Sequence, residues 1–104
     1  MGEIIIEDKY FEWDDNKNKI NLEKHKISFE EASTVFWDDD AIVFDDPIHS
    51  TEEERFLIVG MSKKANMLTV VHCLRENETV IRIISARKAT TEETKSYVKR
   101  RHNG

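Results

Sequence analysis

The sequence contains few cysteine, proline and glycine residues: one cysteine, one proline and three glycines in 104 residues. A lone Cys73 excludes an internal disulfide. A single thiol inside an apolar run is typical of a reducing cytoplasm, where it usually serves as a small core residue. The apolar runs are only four or five residues long, too short to span a membrane, and the N-terminus lacks the pattern of a secretory signal. We therefore expect a cytoplasmic protein.

Metal and cofactor motifs are also missing from the sequence. The four histidines include no i, i+4 pair and no cysteine cluster accompanies them: His25, His49, His72 and His102. The acidic stretch 38–46 lacks the glycine and the ligand spacing of a calcium loop. There is no glycine-rich phosphate loop. These absences predict neither a metal nor a cofactor.

The net charge of −5 is distributed unevenly. Residues 1–54 hold 17 Asp and Glu against 5 Lys, a net of −12, whereas residues 55–104 hold 4 Glu against 11 Lys and Arg, a net of +7. A basic second half is compatible with a polyanionic partner. The alternative is that the two halves neutralise each other across the fold.

A chain of this length is expected to form one domain, residues 1–104. Alternating apolar and polar residues predict a short strand at 10–13. Asp14 or Asp15 can cap a helix that runs to about Lys24.

A second helix is predicted to begin after Ser28. Ser28 as N-cap and Glu31 three residues later have the pattern of a capping box. An apolar face follows at helical spacing, formed by Phe29, Ala32 and Phe36. Asp38, Asp39 and Asp40 oppose the helix dipole and help to end this helix.

The apolar period then changes from helical to alternate residues. Strands are predicted at 41–44, 56–62, 67–74 and 79–87. The polar turns between the last three strands are short, which favours antiparallel hairpins. Thr90 or Thr91 can cap a final helix. The predicted class is α+β, an antiparallel sheet of about four to five strands with two N-terminal helices and a C-terminal helix, covered on one face.

Several stretches resemble the BrnT family, toxins of bacterial type II toxin–antitoxin pairs. They occur in the family's order and spacing: FEWDDNK, NLEKHKISFEEA, HSTEEERFLIVGMS, VVH and IRIISARKAT. The resemblance implies a RelE-like fold and a metal-independent ribonuclease that cleaves mRNA and inhibits translation. It also implies a BrnA-like antitoxin with a ribbon-helix-helix part, contact with operator DNA only through that antitoxin, and an assembly such as two toxins with two antitoxins.

Two positions depart from the family pattern. Lys26 stands where the family usually has glycine, and a lysine costs about 1 kcal/mol there if the backbone is left-handed. Residues 63–65 stand where the family often places glycine and arginine, which changes the position of a basic side chain.

RNA cleavage through the 2′-hydroxyl needs a base, cations on the phosphorane and an acid at the leaving oxygen. His49, Glu53 and Arg55 supply these chemical types within seven residues, where a loop becomes a strand. The alternative is a solvated acidic loop in which Arg55 pairs with a glutamate.

Arg82 lies within a strand of Val and Ile, where burial is costly unless the charge is paired or the face is open. If the hairpin turn centres on Asn77, His72 faces Arg82 on one side of the sheet. Arg82 would then bind phosphate, or it would extend over the sheet or pair with a carboxylate from a helix. His72 would contact RNA or pack in the core.

Arg87 ends its strand at the position of a family arginine and is a candidate phosphate ligand, or else an ion-pair partner of Glu92 or Glu93. Tyr97 could stack on a base or pack its helix. Three basic residues of the hairpin turns join the candidate RNA contacts: Lys63, Lys64 and Arg75.

Three functions are therefore compared. The first is the ribonuclease toxin, with His49, Glu53, Arg55, Arg82 and Arg87 as candidate catalytic residues. The second is a non-catalytic module that binds an antitoxin and modulates operator repression. The third is a small α+β domain without a nucleic-acid role.

Overall fold

The computed structural model describes residues 2–6, 9–46 and 53–103, with side chains for 9–46 and 53–102. The elements in chain order are β1 Gly2–Ile6, β2 Lys9–Trp13, α1 Asp15–His25, α2 Phe29–Thr34, a 3-10 turn Val35–Trp37, β3 Ile42–Asp45, β4 Phe56–Met61, β5 Met67–Arg75, β6 Val80–Lys88 and α3 Thr91–Asn103. The α+β class is confirmed. No helix in these ranges is long and apolar enough to cross a membrane.

The sheet of the described residues has six strands in the order β1-β2-β6-β5-β4-β3. All neighbouring strands are antiparallel except β2 and β6, which are parallel. The expectation of four to five strands was therefore low by at least one, because β1 is an apolar run without alternation that forms a ladder only by pairing with β2. The parallel pair follows from the long crossover between β2 and β6, which carries the helices over the sheet.

Helices α1 and α2 cover one face of the sheet. The main core forms there, from Phe11, Trp13, Ile27, Phe29, Ala32, Val35, Ile58, Leu68, Val70, Ile83 and Ala86. Alternation along each strand places the intervening side chains on the opposite face, which we call the second face.

The predicted helix caps are present. Asp14 accepts hydrogen bonds from the backbone N–H groups of Asn16 at 2.8 Å and Lys17 at 3.1 Å. The Ser28 hydroxyl accepts from the N–H of Glu31 at 3.0 Å.

The Glu31 carboxylate does not complete the capping box. It accepts instead from the hydroxyl of Ser62 at 2.7 Å and from the side-chain amide of Asn66 at 2.8 Å. Glu31 is almost fully buried, so these bonds compensate the loss of its hydration and connect α2 to the β4–β5 turn.

Helix α3 packs partly on the second face, so the expectation of a sheet covered on one face was incomplete. The Thr69 hydroxyl, on the second face of β5, donates to Glu93 of α3 at 2.8 Å. The Tyr97 hydroxyl donates to Asp38 at 2.7 Å, and Asp38 also accepts from the N–H of Met61 at 2.8 Å. These bonds hold α3 near the end of β4, while the start of β4 and the end of β5 are not joined to it by these bonds.

The backbone at Lys26 is left-handed, with φ 62° and ψ 27°, as the family's glycine at this position implies. Its N–H closes α1 by donating to the carbonyl of Leu22 at 2.9 Å. We predict that Lys26→Gly raises the free energy of unfolding by about 0.5–1 kcal/mol, because glycine has no Cβ to strain this conformation, although it gains entropy when unfolded. Urea denaturation measures this difference.

Lys24→Gly is the matched control. Lys24 is an exposed residue of the same helix in the right-handed region, where glycine should lower stability by about 1 kcal/mol. Equal destabilisation by both changes would mean that Lys26 carries no backbone strain.

Candidate active site on the second face of the sheet

A row of polar side chains crosses three neighbouring strands on the second face. Glu12 of β2 pairs in register with Arg82 of β6, and Arg82 pairs with Cys73 of β5. Ile81 and Ile83, which flank Arg82, pack on the helix-covered face, so Arg82 points away from the core. The row therefore places a carboxylate, a guanidinium and a thiol side by side.

Arg82 makes its shortest described contact with Glu12. Its Nη1 lies 2.7 Å from the Glu12 carboxylate, and the two side chains are 21% and 18% exposed. The alternative in which Arg82 pairs with a carboxylate is thus present, although that carboxylate comes from a strand and not from a helix. Glu12 was missed in the sequence. The alternation of Phe11 and Trp13 around it was the available signal, but its partner depends on the parallel pairing of β2 with β6.

Glu53 lies just before β4, accepts hydrogen bonds from Cys73 and Arg55, and forms a longer ion-pair contact with Arg75. Cys73 Sγ is 3.3 Å away, Arg55 Nε 3.4 Å and Arg75 Nη1 3.9 Å. The Cys73 hydrogen bond, followed by those contacts with arginine, lowers the pKa of the Glu53 carboxyl despite partial desolvation. Burial, together with the neighbouring Glu53 charge, raises the pKa of the Cys73 thiol to about 11. At neutral pH the glutamate is thus ionised and the thiol keeps its proton.

We call these six residues the charged cluster: Glu12, Glu53, Arg55, Cys73, Arg75 and Arg82. Arg75 is half-exposed and Arg55 is partly exposed, so the cluster opens to solvent on the side of its arginines. A chemical group that enters here meets guanidinium donors suited to phosphate and a carboxylate able to accept a proton.

Arg87 lies apart from the charged cluster. It pairs in register with Thr69, four residues from Cys73 along β5, which is about 13 Å. Its guanidinium binds Glu93 through two parallel contacts of 2.8 and 2.9 Å. Glu93 also accepts from the N–H of Thr90 at 2.8 Å, while the Thr90 hydroxyl accepts from the N–H of Glu93 at 3.1 Å, which makes Thr90 the cap of α3. The ion-pair alternative for Arg87 is the one present.

The predicted pairing of His72 with Arg82 was wrong. His72 pairs with Ile83, and Arg82 pairs with Cys73. The turn between β5 and β6 takes four residues, Glu76 to Thr79, because three consecutive residues adopt positive φ there. This loop shifts the register by one residue, and such a shift moves a side chain to the other face.

Two candidate RNA contacts therefore pack inside the fold. His72 is buried on the helix-covered face, with its ring 4.9 Å from that of Phe36 and 5.9 Å from that of Phe56. Burial lowers the pKa of His72, so it is neutral at pH 7. Tyr97 is 3% exposed and donates to Asp38, which leaves no ring face for a base. For both residues the packing alternative describes the structure.

A family model described as "Ribonuclease toxin, BrnT, of type II toxin-antitoxin system" matches residues 13–93. This range covers most of the chain and holds all of the charged cluster except Glu12. The chain belongs to the BrnT family.

The fold agrees with a solved BrnT toxin. The crystal structure of the Brucella abortus ribonuclease toxin BrnT matches with a TM-score of 0.57 and 21% sequence identity, over 76% of this chain and 94% of that chain. A search of curated protein sequences gave no match.

Two further predicted RNA contacts of this BrnT-family chain, Lys63 and Lys64, lie away from the charged cluster. Lys63 and Lys64 are exposed in the β4–β5 turn, at the opposite end of the strands from Arg55 and Arg75, and the Lys63 N–H donates to Thr34 at 2.9 Å. His49 lies outside the described residues. Within the described residues no three His, Cys, Asp or Glu side chains are grouped to hold a metal ion.

Arg87 and Glu93 generate a prediction about acid stability. Hydrogen bonds from Arg87, with smaller ones from Thr90 and Thr69, lower the pKa of Glu93 to about 2 from an ordinary 4.5. A carboxyl whose pKa is depressed in the folded state stabilises the fold above its unfolded pKa and loses that contribution as pH falls through the folded value. The free energy of unfolding should therefore fall between pH 5 and 2 in the native chain, and less steeply in Glu93→Gln.

Glu92→Gln is the control for this titration. Glu92 is exposed, and its described ion pair, with Lys95, is long at 3.8 Å and lies on the helix surface. Urea denaturation across this pH range should give the native slope for Glu92→Gln. A Glu93→Gln slope equal to the native one would show that the pair with Arg87 does not stabilise the fold.

Proposed function

We propose that this BrnT-family chain is a metal-independent endoribonuclease that cleaves mRNA at the charged cluster, inhibits translation and is neutralised by a BrnA-like antitoxin. The observation that carries the proposal is the meeting of three arginines with two carboxylates on a solvent-open sheet face. Family membership supplies the reaction class.

The cleavage chemistry assigns a role to each type of group. The 2′-oxygen attacks phosphorus, its proton passes to a base, and the bond to the 5′-oxygen breaks as that oxygen takes a proton. We assign the acceptance of the first proton to Glu53, whose lowered pKa keeps it ionised at neutral pH. The arginines bind the phosphorane oxygens, since guanidinium forks match phosphate geometry and keep their charge. His49 is a candidate donor of the proton to the 5′-oxygen.

Arg87 lies about 13 Å from the charged cluster along the sheet, so we assign it a different role from the one predicted. The contacts of Arg55 and Arg75 with Glu53 are long, at 3.4 and 3.9 Å, and such partly exposed pairs contribute only about 0–1 kcal/mol. Arg87 is held by two short contacts to Glu93, and Arg82 by one contact of 2.7 Å to Glu12. We therefore propose that Arg55 and Arg75 bind the substrate phosphate, that Arg82 adds positive charge beside them while it stays paired with Glu12, and that Arg87 acts mainly on stability.

A non-catalytic interaction module is the second candidate. It is favoured by the pairing of the cluster's cations with the cluster's own carboxylates, Arg82 with Glu12 and Arg55 with Glu53, which offsets their charge for a polyanion. The two candidates differ in whether the free chain cleaves RNA.

The first experiment is expression of the chain alone, followed by incubation of purified protein with RNA in the presence of a chelator. We expect growth arrest and RNA fragments with 2′,3′-cyclic phosphate ends. Intact RNA at full expression would contradict the nuclease function, and activity that disappears with the chelator would contradict metal independence.

Arginine replacements locate the site. Arg55→Ala and Arg75→Ala should each lower the cleavage rate by at least about tenfold while the unfolding midpoint stays near native, because one lost charge-assisted hydrogen bond corresponds to roughly 1.5–3 kcal/mol. Arg→Lys should restore little, since a point charge replaces a fork. Arg87→Ala should instead lower stability more than catalysis.

Lys19→Ala is the matched control, an exposed cation on α1 on the other side of the sheet. It should leave both cleavage and stability near native values. If the cluster variants fold normally and cleave as fast as Lys19→Ala does, the substrate binds elsewhere.

The antitoxin is tested with the neighbouring reading frame. Co-expression of that small protein with this chain should restore growth, stop RNA cleavage and give one complex by size exclusion, with a mass that fits two toxins and two antitoxins. Two separate peaks with growth still arrested would contradict the partner assignment.

A further inference from the structure

The cysteine has a place in the candidate site that its usual core role does not explain. Cys73 is 1% exposed, and its sulfur lies 3.3 Å from a carboxylate oxygen of Glu53. It belongs to β5, which is hydrogen-bonded to strands on both sides, and its backbone pairs in register with that of Arg82. The thiol is therefore a fixed group at the floor of the charged cluster.

Glu53 does not belong to a strand of the described sheet. It precedes β4, which begins at Phe56, and so it stands outside the sheet ladder. The two arginines beside it, Arg55 and Arg75, are more exposed than Cys73 and lie 3.4 and 3.9 Å from the carboxylate. Under the proposed function, both bind the phosphate of the substrate. Cys73 is the donor that stays in place when those arginines change partners.

We propose that Cys73 is a positioning residue, whose buried thiol donates to Glu53 and holds that carboxylate over the sheet for proton transfer. The inference deepens the proposed function and rests on it. A thiol is a weak donor, but this one keeps its proton because the pKa of Cys73 is raised to about 11. The donation persists across the pH range in which an RNA-cleaving site would work.

The proposal separates donation from filling space. Cys73→Ser keeps a donor of similar size, whereas Cys73→Val keeps an apolar side chain and removes the donor. If the thiol only fills the core, valine is the milder change, because it leaves no hydroxyl to desolvate. If the thiol positions Glu53, serine is the milder change.

The deciding measurement is the titration of the Glu53 carboxyl by NMR in the purified free chain. In Cys73→Val the pKa of Glu53 should rise towards its ordinary value, and in Cys73→Ser it should remain low. Each unit of increase lowers the rate of a base-catalysed step about tenfold on the acid side of the pH profile, so the valine variant should lose cleavage first at low pH. An unchanged Glu53 pKa in a folded Cys73→Val chain would overturn the proposal.

A reciprocal measurement avoids any change in the core. In Glu53→Gln the thiol loses a neighbouring charge, so the pKa of Cys73, followed by thiolate absorbance against a Cys73→Ser blank, should fall below the native value of about 11. A thiol pKa equal to the native one would overturn the proposal even if Cys73→Val does not fold.

Both titrations are independent of RNA. If both variants show the expected pKa shifts but the native chain does not cleave RNA, the nuclease function is contradicted and the Cys73–Glu53 contact stands. If the native chain cleaves RNA but neither variant shows its shift, the nuclease function stands and Cys73 has no part in it.

Discussion

The parallel pairing of β2 with β6 is the constraint on which the second face depends. It follows from the chain path, since β2 leads into α1 and α2, which cross over the sheet before the hairpins return. Through this pairing Glu12 contacts Arg82, which lies in β6 between the apolar residues Ile81 and Ile83. Without Glu12, Arg82 would lose its 2.7 Å carboxylate contact on a partly buried surface, which is an expensive state. The core and the charged cluster therefore depend on the same strand, β2. Its Phe11 faces the core, and its Glu12 faces the charged cluster.

The pairing of the cluster's charges decides how an anion could be bound. A cation that makes two short hydrogen bonds to a carboxylate has its donors occupied. A phosphate must displace that carboxylate before it can bind the cation. Arg87 is in this state through Glu93. Arg55 and Arg75 share one glutamate at longer distances, 3.4 and 3.9 Å. Under the proposed function, these two arginines therefore bind phosphate more readily than Arg87 does, and the carboxylate that they share can itself take part in proton transfer.

The sequence allowed prediction of what local physics determines and failed where partners are distant. Caps at Asp14 and Ser28 were predictable because the acceptor and the N–H groups lie within three residues. The strands from 56 onward were predictable from their composition and period. The register of β5 against β6 was not, because it depends on three consecutive residues in the left-handed region, Glu76, Asn77 and Glu78, of which only asparagine adopts that conformation readily. Glu12 could be assigned a face from alternation but not a partner.

The observed register places the Cys73 thiol, and not His72, beside Arg82. A shift of one residue exchanges the faces of His72 and Cys73, so a titratable imidazole expected beside Arg82 is replaced by a group that stays protonated. Under the proposed function, Glu53 therefore accepts the proton on this face, because His72 is buried on the other face beside Phe36 and Phe56. A carboxylate with a lowered pKa is a weak base, and its use is reasonable only if the substrate's proton is made more acidic. Arginines that withdraw charge from the phosphate next to the 2′-hydroxyl would supply that effect, so the proposed function depends on the close grouping of Glu53 with Arg55 and Arg75.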